Sequence, residues 1–368
     1  MTAFLEHILS RCDDLGASDI HLAWDERPRY RVQGRLQPDP DSSVLKREVV
    51  DGLAVELGLY TLPRGCPDGT ERIRRDLMTL GAIDGALTAP NGSRFRFNVF
   101  CESERLAVAL RVLSSDFRSL EDLSLPPQIG DFTACRDGLV IVTGPTGSGK
   151  STTLATLIDS INRTREGHII TIEEPIEYIH HSALSLVAQR QVGRDARSFN
   201  DALVEAMRQD PDVLLVGEIR DLDTIRTALR AAETGHLVFT TLHSGDCAGA
   251  IERMVSVFPA DEQSGARHQI ALVLRGIVAQ HLLAGEKGEG RYPATEILIN
   301  TAATANLIAT GRTAQVYSQI ETGAVYGMRT LEQSLAELVM AGRIGENTAY
   351  AATRNPQMLK SRLRRSCR

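Results

Sequence analysis

The sequence predicts a two-domain α/β protein, and three observations carry that expectation. Its 368 residues exceed one ordinary domain. After Gly138 four short apolar runs, "GLVIVTG", "HIITIEE", "DVLLVGE" and "HLVFTTLHS", alternate with helix-like stretches. That is the pattern of a parallel sheet covered on both faces. Earlier in the chain, runs such as "RFRF" (Arg94 to Phe97) alternate polar and apolar side chains, the period of a half-buried strand.

The first domain is expected over residues 1–115. Phe4, Leu5, Ile8 and Leu9 have amphipathic-helix spacing, while Glu6, His7 and Arg11 in the same stretch exclude a signal peptide. "SDIHLAW" reads as a strand, and "RYRVQGRL" alternates and turns at Gly34. "GSRFRFNVF" and "LAVALRVL", separated by a short polar turn, read as a hairpin. Residues 116–131 hold turn formers and two prolines and read as a linker. The second domain is expected over 132–368. It reads as helical from about Asp261 and ends in a basic tail, "KSRLRRSCR", expected to fray.

Composition narrows the function. Aromatics are 5% of residues and the net charge is −6, so neither base stacking nor bulk charge favours nucleic acid. None of the six cysteines forms a Cys-x-x-Cys pair, which argues against a zinc ribbon or redox motif and fits reduced thiols in a cytosolic protein. No apolar stretch approaches a membrane span, so membrane association is expected to go through a partner.

Four motifs carry the chemistry. The first is Gly144-Pro145-Thr146-Gly147-Ser148-Gly149-Lys150-Ser151-Thr152, placed between an apolar strand and a helix. Its glycines let backbone amides face an anion, and the helix offers its positive end to phosphates. Lys150 is expected to bridge the β- and γ-phosphates of a nucleoside triphosphate, and the Ser151 hydroxyl to bind Mg²⁺. The second motif, "DVLLVGEIRD", brings Glu218 to a strand end, where an acidic residue stands beside the metal and the attacking water. The third, "TIEEPIEY", offers Glu173, Glu174 and Glu177, one of which could polarise that water. The fourth, "ETGHLVFTTLHS", sets His236 and His243 on either side of a strand. With no tight pair and no third ligand they suit a γ-phosphate sensor or switch better than a metal site, the alternative being two structural histidines.

Together, in this order, these motifs resemble the secretion ATPase superfamily of type II secretion, type IV pili and type IV secretion. The fit is closest to the type IV pilus retraction ATPase family, PilT. "GASDIHL" and "RVQGRL" look like its N-terminal signature, and "RFRFNVF" like its RFRVN-type hairpin. "TIEEPIEY" looks like its Asp box, with Glu174 for the usual Asp, "LLVGEIRD" its Walker B region and "TGHLVFTTLHS" its His box. "IERMVSVFPADEQ", "GIVAQHLL" and "GMRTLEQSLAELV" also match.

The resemblance implies a PAS-like N-terminal domain and a RecA-like P-loop ATPase domain with a helical C-terminal portion, with ATP in the cleft between them. It implies Glu177 as general base, Glu218 as Walker B glutamate and Mg²⁺ neighbour, and His236 with His243 as the paired His-box residues. It implies that Arg94, Arg96 and Arg111 come from the segment that supplies arginines to nucleotide; Arg105 is offset by one. The implied assembly is a homohexamer in the cytoplasm, held at the inner membrane by a platform protein and working beside other pilus ATPases. Neither nucleic acid nor direct membrane insertion is implied. The absent four-cysteine module argues against the longer assembly and secretion ATPases. One departure stands out. The retraction family's Ala-Ile-Arg-Asn-Leu-Ile-Arg-Glu segment reads "ATANLIAT" here, with Ala305, Ala309 and Thr310 in place of two arginines and a glutamate. This leaves the same engine in a secretion or conjugation machine, or in pilus assembly, as the alternative. A nucleic-acid-dependent ATPase and a catalytically silent ring subunit fit less well.

Overall fold

The computed structural model describes residues 1–32, 34–62, 66–113, 117–286 and 290–365. They divide into two units. One comprises Met1–Asp116 with Glu173–Ile179 and Gln189–Ser198; the other comprises Phe117–Ile172, His180–Ala188 and Phe199–Arg368.

The first unit contains helix α1 (Ala3–Asp14), strands β1 (Asp19–Ala23), β2 (Arg29–Val32) and β3 (Arg35–Pro38), helices α2 (Arg47–Leu59) and α3 (Gly69–Leu80), and strands β4 (Ala82–Thr88), β5 (Arg94–Glu102) and β6 (Arg105–Leu113). The strands pair antiparallel in the order β3-β2-β1-β6-β5-β4. Helix α1 starts where the Thr2 side chain accepts from Leu5 N, and it buries Leu5, Ile8, Leu9 and Cys12. That i, i+3, i+4, i+7 stripe is the amphipathic face expected of it. It shares one core with Phe95, Phe97 and Tyr30 of the sheet. The β5–β6 hairpin turns through Ser103 and Glu104, both with positive φ (49° and 63°). A two-residue turn of that hand matches strand twist.

The sheet's other face carries a cross-strand row. Arg31 of β2 faces Asp19 of β1, which faces Arg111 of β6, which faces Arg96 of β5. Asp19 is buried and takes Arg111 Nε at 2.7 Å and Arg31 Nε at 3.5 Å. Burial pushes its carboxyl up, but Ser18, Arg111 and Arg31 outweigh this and hold it below the ordinary range.

The second unit contains β7 (Gly138–Thr143), α4 (Lys150–Thr164), β8 (His168–Glu173) up to Ile172, β9 (Leu186–Gln191) up to Ala188, α5 (Phe199–Ala206), β10 (Val213–Val216), α6 (Leu222–Glu233), β11 (Leu237–Leu242), α7 (Cys247–Ser256), α8 (Gln263–Val273), β12 (Leu274–Ala284) and β13 (Arg291–Ile299). Helices α9 (Ala302–Ala309), α10 (Val316–Thr322), α11 (Leu331–Met340), α12 (Glu346–Ala352) and α13 (Pro356–Arg365) follow. The sheet order is β13-β12-β7-β11-β10-β8-β9. β12, β7, β11, β10 and β8 run parallel to their neighbours, and β13 pairs antiparallel with β12. Every residue of β7, β10 and β11 is buried, as expected for strands covered on both faces.

Three expectations change here. The stretch after Asp261 is not helical throughout, because Leu274–Ala284 and Arg291–Ile299 are strands. An apolar run such as "GIVAQHLL" suits either element by length, and pairing with β7 decides it. The segment read as a linker places Leu125 and Ile129 in the second unit's core beside strand residues; its first residue, 116, lies outside the described ones. The basic tail is helical through Arg365, with Leu363 packed against a core that includes Leu359, and its last three residues lie outside the described ones. Among the described residues no helix is long and apolar enough to cross a membrane.

Candidate nucleotide site

The parallel strands deliver three of the four motifs to one edge of the second unit's sheet. β7 ends at Thr143, opposite Leu242 at the end of β11, and β10 ends beside β11 at Val216. Crevices at the carboxyl ends of parallel strands are where α/β folds bind ligands. The phosphate loop, Glu218 and His243 follow those three strand ends directly.

Sterics shape the loop. Gly144, Gly147 and Gly149 have φ of 149°, 78° and 91°, values that side chains resist. A Cβ on Gly144 would collide with the Gln280 carbonyl oxygen, and one on Gly149 would lie 2.7 Å from Gln280 Nε2. Gln280 of β12 donates from Nε2 to Ser148 O at 2.7 Å and accepts from Thr153 Oγ1 at 2.8 Å. It clamps the loop to the first turn of α4. Lys150 opens that helix; its buried ammonium donates to Gly144 O at 2.9 Å and Pro145 O at 3.1 Å. Ser148 Oγ is buried with no hydrogen-bond partner among the described residues. Ser151 is exposed at the helix start.

Beside the loop stand Glu218 and His243. Glu218 accepts from Arg220 Nη2 at 2.7 Å, and its other oxygen lies 3.5 Å from His243 Nε2. Burial pushes the Glu218 carboxyl up, yet Arg220, His243 and Lys150 together hold it below the ordinary value. The His243 imidazole is pushed down, first by burial and then by Lys150, with Glu218 opposing. At neutral pH this leaves a carboxylate beside a neutral ring.

His236 is not brought to this group. It precedes β11, at the level of Gly138, where its Nδ1 meets Ala231 O at 2.9 Å. The intervening six-residue strand is roughly 20 Å long. The two histidines therefore mark opposite ends of the sheet within one chain.

The remaining candidates group with the first unit. Glu173 accepts from Gln189 Nε2 at 3.2 Å, Glu174 is exposed, and Glu177 Oε1 lies 3.5 Å from Arg96 Nη1. Arg96 also faces Asp84 at 3.8 Å. Arg94 differs from Arg96 and Arg111. Only 7% exposed, it donates to Thr88 Oγ1 at 3.0 Å and Ile176 O at 3.1 Å. Burial lowers its pKa.

Sequence reasoning missed Gln280 and His281. The signal was a polar pair inside the apolar run "GIVAQHLL", hidden by the helical reading. His281 Nε2 meets Gly245 O at 2.9 Å and so holds the loop after His243.

A family model described as Type II/IV secretion system protein matches residues 1–366. The chain belongs to that family. It is 41% identical over 345 residues to the type IV pilus retraction ATPase PilT of Pseudomonas aeruginosa, covering 93% of this chain and 96% of that one. A crystal structure of the pilus retraction motor PilT with bound ADP is 40% identical, covers 97% of this chain and 99% of that one, and superposes with a TM-score of 0.86. The ATPase DotB of Legionella pneumophila is 27% identical and covers 95% of this chain and 94% of that one, with a TM-score of 0.80. The resemblance to the retraction ATPases read from the motifs is borne out over nearly the whole chain, as is the mixed α/β architecture.

Proposed function

We propose that this protein is an ATP-hydrolysing motor that powers retraction of a type IV pilus, acting as a homohexamer in the cytoplasm. The observation that carries the reading is the union, on one sheet edge, of the glycine-shaped loop, Lys150, ionised Glu218 and neutral His243. The near full-length likeness to PilT supplies the pilus.

The residues fit a phosphate chain. The Ser148 hydroxyl, buried with no partner among the described residues, and the positive-φ glycines fit a loop that receives an anion at the start of α4. Gly144 to Thr152 would hold the phosphates, with Lys150 carrying the countercharge. Ser151 and Glu218 would hold Mg²⁺, which neutralises developing phosphate charge when bound. Among the described residues no cluster of three or more His, Cys, Asp or Glu could hold a metal.

Glu218 orients the attacking water, and Glu177, once Arg96 has left its carboxylate, serves as the general base. Arg96 and Arg111 act on a neighbouring subunit's nucleotide. His243 reads the γ-phosphate through Glu218, and His236, at the far end of its strand, serves across a subunit boundary. An inner-membrane platform protein receives the work, and other pilus ATPases act beside it.

One observation favours a second reading, the same engine in assembly or secretion. Ala305 and Ala309 lie one turn apart on α9, where the retraction family carries arginines. Deleting the gene decides between them. Loss of a retraction motor leaves cells piliated but unable to twitch. A bald mutant identifies an assembly motor, and unchanged pili with halted export a secretion motor.

A further inference from the structure

We propose that Arg354 is a positioning residue that fixes the loop carrying His243 and so ties the C-terminal helices to the nucleotide site. This rests on the ATPase reading above.

The loop from His243 to Asp246 leaves β11 and enters α7; besides Arg253 of α7, whose Nη1 donates to His243 O at 3.5 Å, three side chains from other elements hold it. Thr143 Oγ1 accepts from Ser244 N and donates to Ser244 O, both at 2.8 Å. His281 meets the Gly245 carbonyl. The third group is Arg354, whose guanidinium pairs with Asp246. It lies so close to the chain that a Cβ on Gly245 would collide with it. Asp246 in turn caps α7 by accepting from Gly249 N. The first two holds come from the sheet. Arg354, by contrast, reaches the loop from the C-terminal helices.

Arg354 is itself well anchored. It sits in the link between α12 and α13, and the residues on either side bind one buried carboxylate. Thr353 Oγ1 donates to Glu332 Oε1 at 2.9 Å, and Asn355 N to the same oxygen at 3.2 Å. Tyr317 of α10 donates to Glu332 Oε2 at 2.9 Å. Glu332 is 1% exposed, and a buried carboxylate with three donors resists displacement. The linkage therefore runs from α10 and α11 through Glu332 to Arg354, then through Asp246 to His243 and Glu218.

The Arg354 side chain is 57% exposed, and a pair that open contributes little to stability. A cavity of about 230 Å³, lined by Asp246, Tyr317, Glu332 and Arg354, lies beneath it. The guanidinium thus bridges two elements that do not pack tightly there. Its effect falls on where the loop sits.

The test uses the full chain with Arg354→Gln and Arg354→Lys. Arg354→Gln should lower kcat for ATP about 10-fold with KM and Tm unchanged, since small misplacements near the chemistry are costly. Arg354→Lys should recover most of the loss. A second readout needs no turnover: hydrogen exchange at the Ser244 amide, which donates to Thr143 Oγ1 at 2.8 Å. In Arg354→Gln that exchange should quicken as the loop loosens, and Arg354→Lys should restore it. An unchanged kcat with unchanged exchange overturns the proposal. So does a fall in kcat that tracks a fall in Tm and is not rescued by lysine. If the wild-type chain turns over ATP no faster than Lys150→Ala, the ATPase reading fails, and exchange at Ser244 alone decides whether Arg354 positions the loop.

Discussion

The phosphate loop and the arginine row of the first unit both present cationic groups, but they hold them differently. Lys150 is buried against backbone carbonyls of its own loop. Arg96 and Arg111 are 44% and 70% exposed and rest on carboxylates. A cation caged by backbone can be re-paired only if the loop changes shape. An exposed ion pair of the second kind contributes about 0–1 kcal/mol and exchanges partners readily. The loop is thus set in advance, whereas the row can give up its partners to a stronger anion.

The largest effect should come from the loop. Lys150→Ala should cost about 10³-fold or more in turnover and weaken nucleotide binding, and binding titrations beside steady-state rates check both. Near-normal turnover would remove the loop from the comparison.

On the other side, Arg96→Ala should cost up to about 10³-fold if the arginine acts in trans, with stability changed by less than about 1 kcal/mol. Mixing it with Lys150→Ala should restore part of the activity, because some subunit pairs then hold one intact site. A fully active monomer in analytical ultracentrifugation would refute that.

Glu218→Gln should lose about 10²-fold in kcat and keep ATP binding, since the carboxylate acts on water and metal.

Protonation sharpens the contrast further. The folded-state pKa of Glu218 is depressed, so its contribution to stability is complete above the unfolded carboxylate pKa. It is lost as pH falls through the folded value. Acid unfolding followed by circular dichroism should show a smaller dependence below pH 4 in Glu218→Gln.

The smallest effect is expected away from both regions. Arginine at Ala305 and Ala309 should leave the ATPase rate within about twofold, by the usual tolerance of positions outside a site, and any change should appear in pilus dynamics.

Much of the nucleotide site was legible because its chemistry is local. A strand, three glycines, a lysine and a helix are contiguous in sequence, so their geometry follows from short-range rules. The all-apolar strands were legible for a similar reason: few structures bury both faces of a short run. What was hidden depends on distant partners. β12 reads as a helix until β7 is beside it. Gln280 looks like an interruption in an apolar run until the loop it clamps lies against it. The alternation around Phe95 and Phe97 put Arg94 on the open face, yet tertiary contacts with Thr88 and Ile176 bury it. The strand between His236 and His243 was legible as well, and its six buried residues keep the two apart.

Strand β12 has an evolutionary consequence. Its neighbours Gln280 and His281 point to opposite faces, one to the phosphate loop and the other to the loop after His243. Strand side chains alternate with period two, so a one-residue insertion upstream would exchange the two and release both loops at once. Point changes at either position could be compensated one at a time, but a change of length could not. Length variation among descendants of this gene should therefore spare Leu274–Ala284 even where residue identities drift.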